Sequence, residues 1–485
     1  MAKSNRQKVM GGVAWKFAER ITSQGVFFVV SVILARLLSP SEYGIIAMIN
    51  IFIIFANIFV VSGFNSALIQ KKDADALDFS TMFYCSLGIS VLLYIIIFFC
   101  APLISYYYDM PELTNITRVF SLSLIINSYQ TIQTAYVARH MIFKKNFMAT
   151  SVGTICAGII GIIMAYKGFG VWALVCQHIS SIIINTLTLR SIVDWHPQLM
   201  FSFSRAKSLL DYGVKIFGST FVDTLFKEIR QLVIGLYYTP ADLALYNRGQ
   251  HFPKLVTHNL DNTWKAVLFP AMSNYSDNPK RIKGMLRKSI MNTSYVTYFA
   301  LTMMAVSSEP LIRVLLTEKW IECVPYMQIF CFSLMIGTVS GTNIEALKAL
   351  GKSDEVFKLQ FYRKPIALLT TFAAIPFGVK AIALTVPINM IWGMYVNLKP
   401  TKKWLDYGIK EQLKDIFPGI LLAIVLAVSA WPLSLLPINE FVIMFLQIVW
   451  GVFIYLLCSI VFKIEAYYYC KDILLGVFKS KLKKK

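Results

Sequence analysis

The sequence predicts an all-α, multi-pass membrane protein with an internal duplication, on three observations. The chain of 485 residues is 56% hydrophobic and has a mean hydropathy of +0.60, outside the range of a soluble domain of that size. About fourteen stretches are apolar and long enough to cross ~30 Å of hydrocarbon. Finally, Leu38-Ser39-Pro40-Ser41-Glu42-Tyr43-Gly44 returns two hundred residues later as Tyr238-Thr239-Pro240-Ala241-Asp242-Leu243-Ala244, between long apolar spans both times.

The repeated stretch is a helix start. Ser39 and Thr239 stand where a side-chain oxygen can cap the first free N–H groups, and Pro40 and Pro240 occupy the first helical position, where no donor is needed. Glu42 and Asp242 fall three residues after the cap, at the positive end of the helix dipole, and Leu38/Tyr43 and Tyr238/Leu243 are spaced as hydrophobic staples. The match runs on at the same offset to Ala67-Leu68-Ile69-Gln70 against Val267-Leu268-Phe269-Pro270. One copy would mark one helix; two copies in register indicate a duplicated protein.

In chain order the spans fall near 10–37, 43–64, 80–105, 116–138, 147–166, 170–190, 209–236, 243–271, 288–308, 323–347, 357–377, 379–398, 416–436 and 440–462. Spans seven and eight are the most polar. Alternate loops are basic, among them Arg139, Lys144 and Lys145, then Lys280, Arg281 and Lys283, then Lys399, Lys402 and Lys403. With the two termini, that side collects roughly 32 Lys/Arg against about 6 on the other, which predicts that both termini are cytoplasmic. The opposite side carries Tyr106-Tyr107-Tyr108-Asp109-Met110-Pro111-Glu112, read as an interfacial aromatic belt.

Several function classes drop out. The net charge of +21 does not point to nucleic acid, because most basic residues sit in short loops between apolar runs, where they set topology. The eight cysteines (Cys85, Cys100, Cys156, Cys176, Cys323, Cys331, Cys458, Cys470) show no metal or CxxC spacing and read as buried small hydrophobes. The basic start, Met1 to Lys8, leads into a helix carrying Lys16, Glu19 and Arg20 rather than into a cleavable signal sequence. There is no GxxxxGK[ST] loop for ATP, no cofactor motif and no catalytic constellation, so any energy is expected to come from an ion gradient or the substrate's own gradient.

The charges within the spans are the most informative feature. Lys16, Arg20, Lys215, Lys227, Arg230, Arg248, Lys254, Lys265 and Lys348 lie inside spans, at on the order of 2.5–3.5 kcal/mol each on insertion scales. All but Lys348 are in spans one, seven and eight. In span eight, Asn247, His251, Lys254, His258, Asp261 and Lys265 recur at intervals of four and three, which makes one polar stripe on a helix. Lys215, Ser219, Asp223, Lys227 and Arg230 do the same in span seven, and Lys16, Glu19, Arg20 and Ser23 in span one; Asn50 and Asn57 share a face of span two. Helix-neighbour ion pairs would account for some of this charge. Yet eight cations in these spans face only Glu19, Asp223, Glu228 and Asp261, and the surplus favours a water-filled basic cavity. His251 and His258, seven apart without a carboxylate at ligand spacing, do not read as a metal site.

The segment from Leu34 to Gly44, followed by Gly63-Phe64-Asn65-Ser66-Ala67-Leu68-Ile69-Gln70, resembles the N-terminal signature of the Wzx-type polysaccharide flippases, members of the multidrug/oligosaccharidyl-lipid/polysaccharide (MOP) exporter superfamily. The resemblance continues through Ala138-Arg139-His140-Met141-Ile142-Phe143-Lys144-Lys145 and Ala346-Leu347-Lys348-Ala349-Leu350-Gly351-Lys352. It implies two pseudo-symmetric six-helix lobes, 1–205 and 206–400, around a central cavity lined by spans one, two, seven and eight. Residues 401–485 would then be two extra helices and a basic tail. It also implies the cargo, an oligosaccharide linked through pyrophosphate to a polyprenol and moved from the inner to the outer leaflet of the bacterial cytoplasmic membrane.

On that reading Lys16, Arg20, Lys215, Lys227, Arg230, Arg248, His251, Lys254, His258 and Lys265 are the candidate substrate-binding residues. Glu19, Asp223 and Asp261 are candidates for coupling to a proton or sodium ion, with Asp223 preferred for its place in the middle of span seven. Membrane lipids and other polysaccharide assembly proteins are the further candidate partners. An ion-coupled drug or metabolite antiporter of the same fold would need an acidic rather than a basic site. A membrane polymerase or ligase would need a large extracytoplasmic loop with Arg and His, and the loops here are short.

Overall fold

The computed structural model describes residues 22, 24–61, 68–69, 71 and 73–472, with side chains described for all of these except 210–212, 215–216, 262–263 and 265–267. No strand occurs among the described residues. The helices are α1 (Gln24–Leu37), α2 (Pro40–Val61), α3 (Ala76–Tyr107), α4 (Glu112–His140), α5 (Phe143–Tyr166), α6 (Val171–Ile192), α7 (Phe203–Tyr237), α8 (Pro240–Ser273), α9 (Pro279–Val306), the short α10 (Ser308–Leu316), α11 (Val324–Ala349), α12 (Ser353–Ala373), α13 (Val379–Leu405), α14 (Ile409–Ala430) and α15 (Glu440–Val461). Thirteen of the fourteen stretches read from the sequence overlap long helices; of the first, 10–37, residues 10–21 and 23 lie outside the described ones and the rest includes the short α1. Among the described residues, eight helices are long and apolar enough to cross a membrane, or nine if α9 and α10, bent by 67° at their junction, form one span. Helices α4, α7, α8 and α12 are as long but more polar.

The repeated capping signal forms as its residues dictate. Ser39 Oγ accepts from the Glu42 N–H at 3.4 Å while Glu42 Oε2 accepts from the Ser39 N–H at 2.6 Å and from its hydroxyl at 2.8 Å. Thr239 and Asp242 make the same reciprocal box at 3.2, 3.2 and 2.6 Å. Two helix starts therefore satisfy their own orphan donors without help from the fold. Other boundaries moved outward. α7 begins at Phe203 and α14 at Ile409, about two turns before the apolar run, because polar first turns anchored by hydrogen bonds extend a helix past its apolar part.

The chain divides into two compact units, Met1–Ala244 and Leu245–Lys485. In the first, Ile49 and Ile53 of α2, Ile116 and Phe120 of α4 and Val175 of α6 form one core; Phe79 and Met82 of α3, Ile132 of α4, Leu189 and Trp195 form another. α5 and α6 approach so closely that a Cβ on Gly153 would lie 3.0 Å from the Ser181 carbonyl oxygen and one on Gly161 2.8 Å from Gln177 Cβ, the small-residue packing expected where dispersion rather than water expulsion joins helices. In the second unit, Ile290 of α9, Val339 and Ala346 of α11 and Ile416 of α14 share a core. Asn343 and Gln412, both fully buried, exchange amide hydrogen bonds at 2.9 and 2.8 Å, and Asn397 donates to Ser340 Oγ at 2.7 Å.

The polarity of the surface is inverted relative to a soluble protein. Ser86, Ser90, Ser121 and Gln133 are fully buried, whereas Phe99 and Leu103 of α3 are each 74% exposed. Lipid removes the penalty on exposed hydrocarbon and leaves the one on exposed polar groups. The same physics corrects the reading of the cysteines. All eight are free, but only Cys323 and Cys331 are buried; Cys100 is exposed and the other five are half-buried, because a small apolar residue gains little by leaving a lipid-facing surface.

Candidate functional site

The start of α7 is pinned by a cluster of charges. Ser202 caps the helix, accepting from the Arg205 N–H at 3.5 Å, and its own N–H donates to Thr81 Oγ1 at 3.2 Å. Arg205 reaches Asp75 at 2.5 Å and the fully buried Asp78 at 3.3 Å, while Lys71 meets Asp78 at 2.6 Å. Arg139 donates to the carbonyls of Leu68, at 3.0 Å, and Lys71. The Arg205 guanidinium beside Asp75, together with the Asp78 N–H, holds the Asp75 carboxyl down at about 2. Entry into α7 is thus fixed to the capping turn of α3 by charge-assisted bonds.

Above this anchor α7 has two unlike faces. Phe217 and Phe221 pack at tilted and edge-on angles against Phe55 and Phe59 of α2 with ring centroids 4.5–6.1 Å apart. The face turned away carries Ser219, Asp223 and Lys227, all exposed, and Arg230, half-buried. Lys215 lies on the same helix, with its side chain outside the described residues. Asn50 and Asn57 of α2 are both half-buried, and Asn57 Oδ1 accepts from Asn127 of α4 at 3.1 Å. An amide between helices is satisfied by another amide, which spacing within one helix cannot show.

On α8 the stripe divides by burial. Arg248 is 8% exposed and lies over the Trp320 ring at 4.9 Å. Tyr246 packs edge-on against Tyr326 and Phe330, and a Cβ on Gly249 would lie 2.5 Å from Tyr326 Cβ. This end of the helix is pressed onto the start of α11. Farther on, Lys254 is exposed, His251 and Asp261 are half-buried and His258 is exposed. Lys254 Nζ donates to Gln250 Oε1 at 2.5 Å, and Gln250 Nε2 donates to Asn247 Oδ1 at 2.7 Å. Pro253 sits inside the helix and offers no N–H to the Gly249 carbonyl, so the backbone ladder has a gap in the middle of the stripe. Lys265 is on α8 with its side chain outside the described residues, and Lys16, Glu19 and Arg20 lie outside them altogether.

Asp261 has company that the sequence did not reveal. It lines a cavity of about 20 Å³ with Thr293 of α9 and Thr338, Thr342 and Glu345 of α11, room for about one water or ion. Thr293 is 1% exposed and its hydroxyl has no hydrogen-bond partner in the protein. Thr338 and Thr342 give their protons to the Leu334 and Thr338 carbonyls, both at 3.0 Å, which leaves oxygen lone pairs for another ligand. Glu345 also meets Lys348 at 3.1 Å. Glu345 was a visible signal, a carboxylate inside an apolar span; its proximity to Asp261 was not, being a contact between helices more than eighty residues apart.

The comparisons with known proteins bear on the family and the fold. A family model described as "Polysaccharide biosynthesis protein" matches residues 33–325, more than half of the chain. The succinoglycan biosynthesis transport protein ExoT of Rhizobium meliloti is 24% identical over 81% of this chain and 78% of its own. The lipopolysaccharide biosynthesis protein WzxC of Escherichia coli is 20% identical over 82% of each. Among solved structures, the lipid II flippase MurJ in an inward closed conformation superposes with a TM-score of 0.73 at 17% identity, over 93% of this chain and 98% of MurJ. An inward-facing MATE family transporter of the MOP superfamily gives 0.61 at 13% identity, over 79% and 94%. The chain belongs to the polysaccharide biosynthesis protein family, and it shares the fold of the lipid II flippase and of the MOP-superfamily transporter on which it superposes.

Proposed function

We propose that the protein is a flippase that moves polyprenyl-pyrophosphate-linked oligosaccharide repeat units from the inner to the outer leaflet of the bacterial cytoplasmic membrane by alternating access. The observation that carries this reading is the cationic character of two polar helix faces, Lys227 and Arg230 sharing α7 with Asp223, and Arg248 and Lys254 sharing α8 with Asp261. A pyrophosphate head cannot enter hydrocarbon without losing its hydration. Lys and Arg replace that hydration with charge-assisted hydrogen bonds while the prenyl tail remains in lipid. The shared fold with a lipid II flippase and the polysaccharide context of the relatives support a lipid-linked saccharide as cargo.

Within this proposal all fourteen stretches read from the sequence cross the membrane, both termini are cytoplasmic, and residues 1–205 and 206–400 form the two repeated lobes, with 401–485 appended. Lys16, Arg20, Lys215, Lys265, His251 and His258 complete the substrate-contacting set. The surroundings of Asp261 make it the strongest of the three carboxylates for ion coupling. A proton or sodium ion in its cavity would meet two carboxylates and three hydroxyls, and its occupancy would bias one conformation of α8 over another. Glu19 and Asp223 remain secondary candidates for this role. Other polysaccharide assembly proteins would receive the exported unit.

The test is direct. Purified protein in liposomes should move a lipid-linked repeat unit between leaflets, and deletion of the gene should make such units accumulate on the cytoplasmic leaflet. Absence of both effects would refute the proposal.

A further inference from the structure

A second cavity lies where α3 ends and α8 begins. It measures about 410 Å³ and is lined by Tyr108 and Met110 after α3, Tyr237 and Tyr238 at the end of α7, Thr239, Pro240 and Asp242 at the start of α8, and Met48. That volume is in the lower part of the ~300–1,000 Å³ range of small-ligand sites. We propose that this cavity is a saccharide-binding site, which takes a sugar ring of the transported unit at the end of the pathway opposite the basic loops. The assignment to the transported unit rests on the flippase reading above.

Three features point to a sugar. Three tyrosines supply flat faces for the C–H side of a pyranose and hydroxyls for its rim. Asp242 and Thr239 add a carboxylate and a hydroxyl, the groups that bind sugar hydroxyls. Among the described residues that line it there is no Lys, Arg or His, and the one charge, Asp242, is negative, so a phosphate is repelled where a neutral or amino sugar is accepted. The cation stripe and this cavity thus suit the two chemically opposite parts of one amphiphilic head group.

The cavity is also held in shape before any ligand arrives. The capping box fixes the Asp242 carboxylate through its Oδ2. Tyr107 OH donates to the Leu236 carbonyl at 3.2 Å, tying the tyrosine turn to the end of α7. Gly44 packs so tightly on Pro240 that an added Cβ would lie 1.8 Å from its carbonyl oxygen. An aromatic belt at the membrane surface would need no such concavity. Tyr106, 85% exposed and not part of the lining, is the residue that fits a belt.

The experiment uses the full chain in nanodiscs, with saturation-transfer NMR to free glucose, galactose and N-acetylglucosamine and to their oligomers of two to four rings. Flipping of the lipid-linked repeat unit is measured in liposomes alongside. Tyr237→Leu should lower transfer to saccharide C–H protons at least about fivefold and slow flipping by a similar factor, Asp242→Asn should lower both by less, and Tyr106→Leu should change neither. No transfer in the unmodified protein, an equal loss in Tyr106→Leu, or flipping that ignores Tyr237→Leu would overturn the proposal. Flipping without saccharide transfer would overturn the cavity and leave the flippase reading standing. Transfer that Tyr237→Leu abolishes, in a protein that moves no lipid-linked unit, would overturn the flippase reading and the assignment to the transported unit with it.

Discussion

Replacing Gly44 by Ala tests whether the two copies of the repeated helix start pack on each other as described. A Cβ at this position would lie 1.8 Å from the Pro240 carbonyl oxygen, 2.2 Å from its carbon and 2.7 Å from its Cα. The obstacle is backbone, held by a proline and a capping box, so no side-chain rotation relieves it. Moving the Cβ from 1.8 Å to ordinary contact near 3.4 Å requires the starts of α2 and α8 to part by most of that difference. Overpacking of this kind costs about 1–3 kcal/mol, and a rigid obstacle places Gly44→Ala near the upper end. At about 3 kcal/mol the conformation described here loses roughly 100-fold in population against any in which these helix starts are apart. Gly25→Ala on α1, where a Cβ meets nothing within 4 Å, is the matched control. Disulfide cross-linking between cysteines placed on the first turns of α2 and α8, at positions outside the two capping boxes and in a background without the native cysteines, reads the separation directly, and the melting temperature in detergent reads stability. Gly44→Ala should slow cross-linking strongly and Gly25→Ala should leave it unchanged. Equal cross-linking and equal melting in both variants would show that the starts of α2 and α8 do not meet.

Three further outcomes follow from other parts of the chain. Lys254→Ala should reduce flipping with normal amounts of folded protein in the membrane, whereas Arg248→Ala should reduce both, because Arg248 is buried over Trp320 and its loss opens that packing; equal yields and equal flipping losses would contradict the division. Asp261→Asn should remove the response of flipping to imposed proton or sodium gradients, and Thr293→Val should weaken it; gradients that drive Asp261→Asn as strongly as the unmodified protein would rule out that cavity for coupling. The Asp75 carboxyl is held at about 2, below its ordinary value of 3.8, so its pairing with Arg205 stabilises fully above pH ~4 and is lost as pH falls toward 2. Arg205→Gln should therefore flatten acid sensitivity of detergent-solubilised protein between pH 4 and 2, an effect kept small by the exposure of both partners; an unchanged pH profile would remove the cluster from that role.

Much of the molecule is legible in the sequence because its determinants are local. The capping boxes at Ser39 and Thr239 need only four consecutive residues, and both form as their residues dictate. Eight of the helices, or nine with the bent pair, follow from apolar length among the described residues, since a backbone in lipid must satisfy its hydrogen bonds within the segment. The amphipathic division of α7, with Phe217 and Phe221 opposite Asp223 and Lys227, follows from helical period alone. Only the tertiary structure decides which residues from distant helices meet. It brings Asp261, Glu345 and Thr293 around one cavity, pairs Asn57 with Asn127, and sets Tyr237 and Asp242 around another cavity with Tyr108. It also gives Gly44 its meaning, since the second copy carries Ala244 at the matching position and no reading of the motif distinguishes the two. Local rules specify a helix and its faces; the partner of each face depends on backbone approach between segments far apart in sequence, and in lipid an apolar residue gains little by burial, so an apolar face does not reveal its partner.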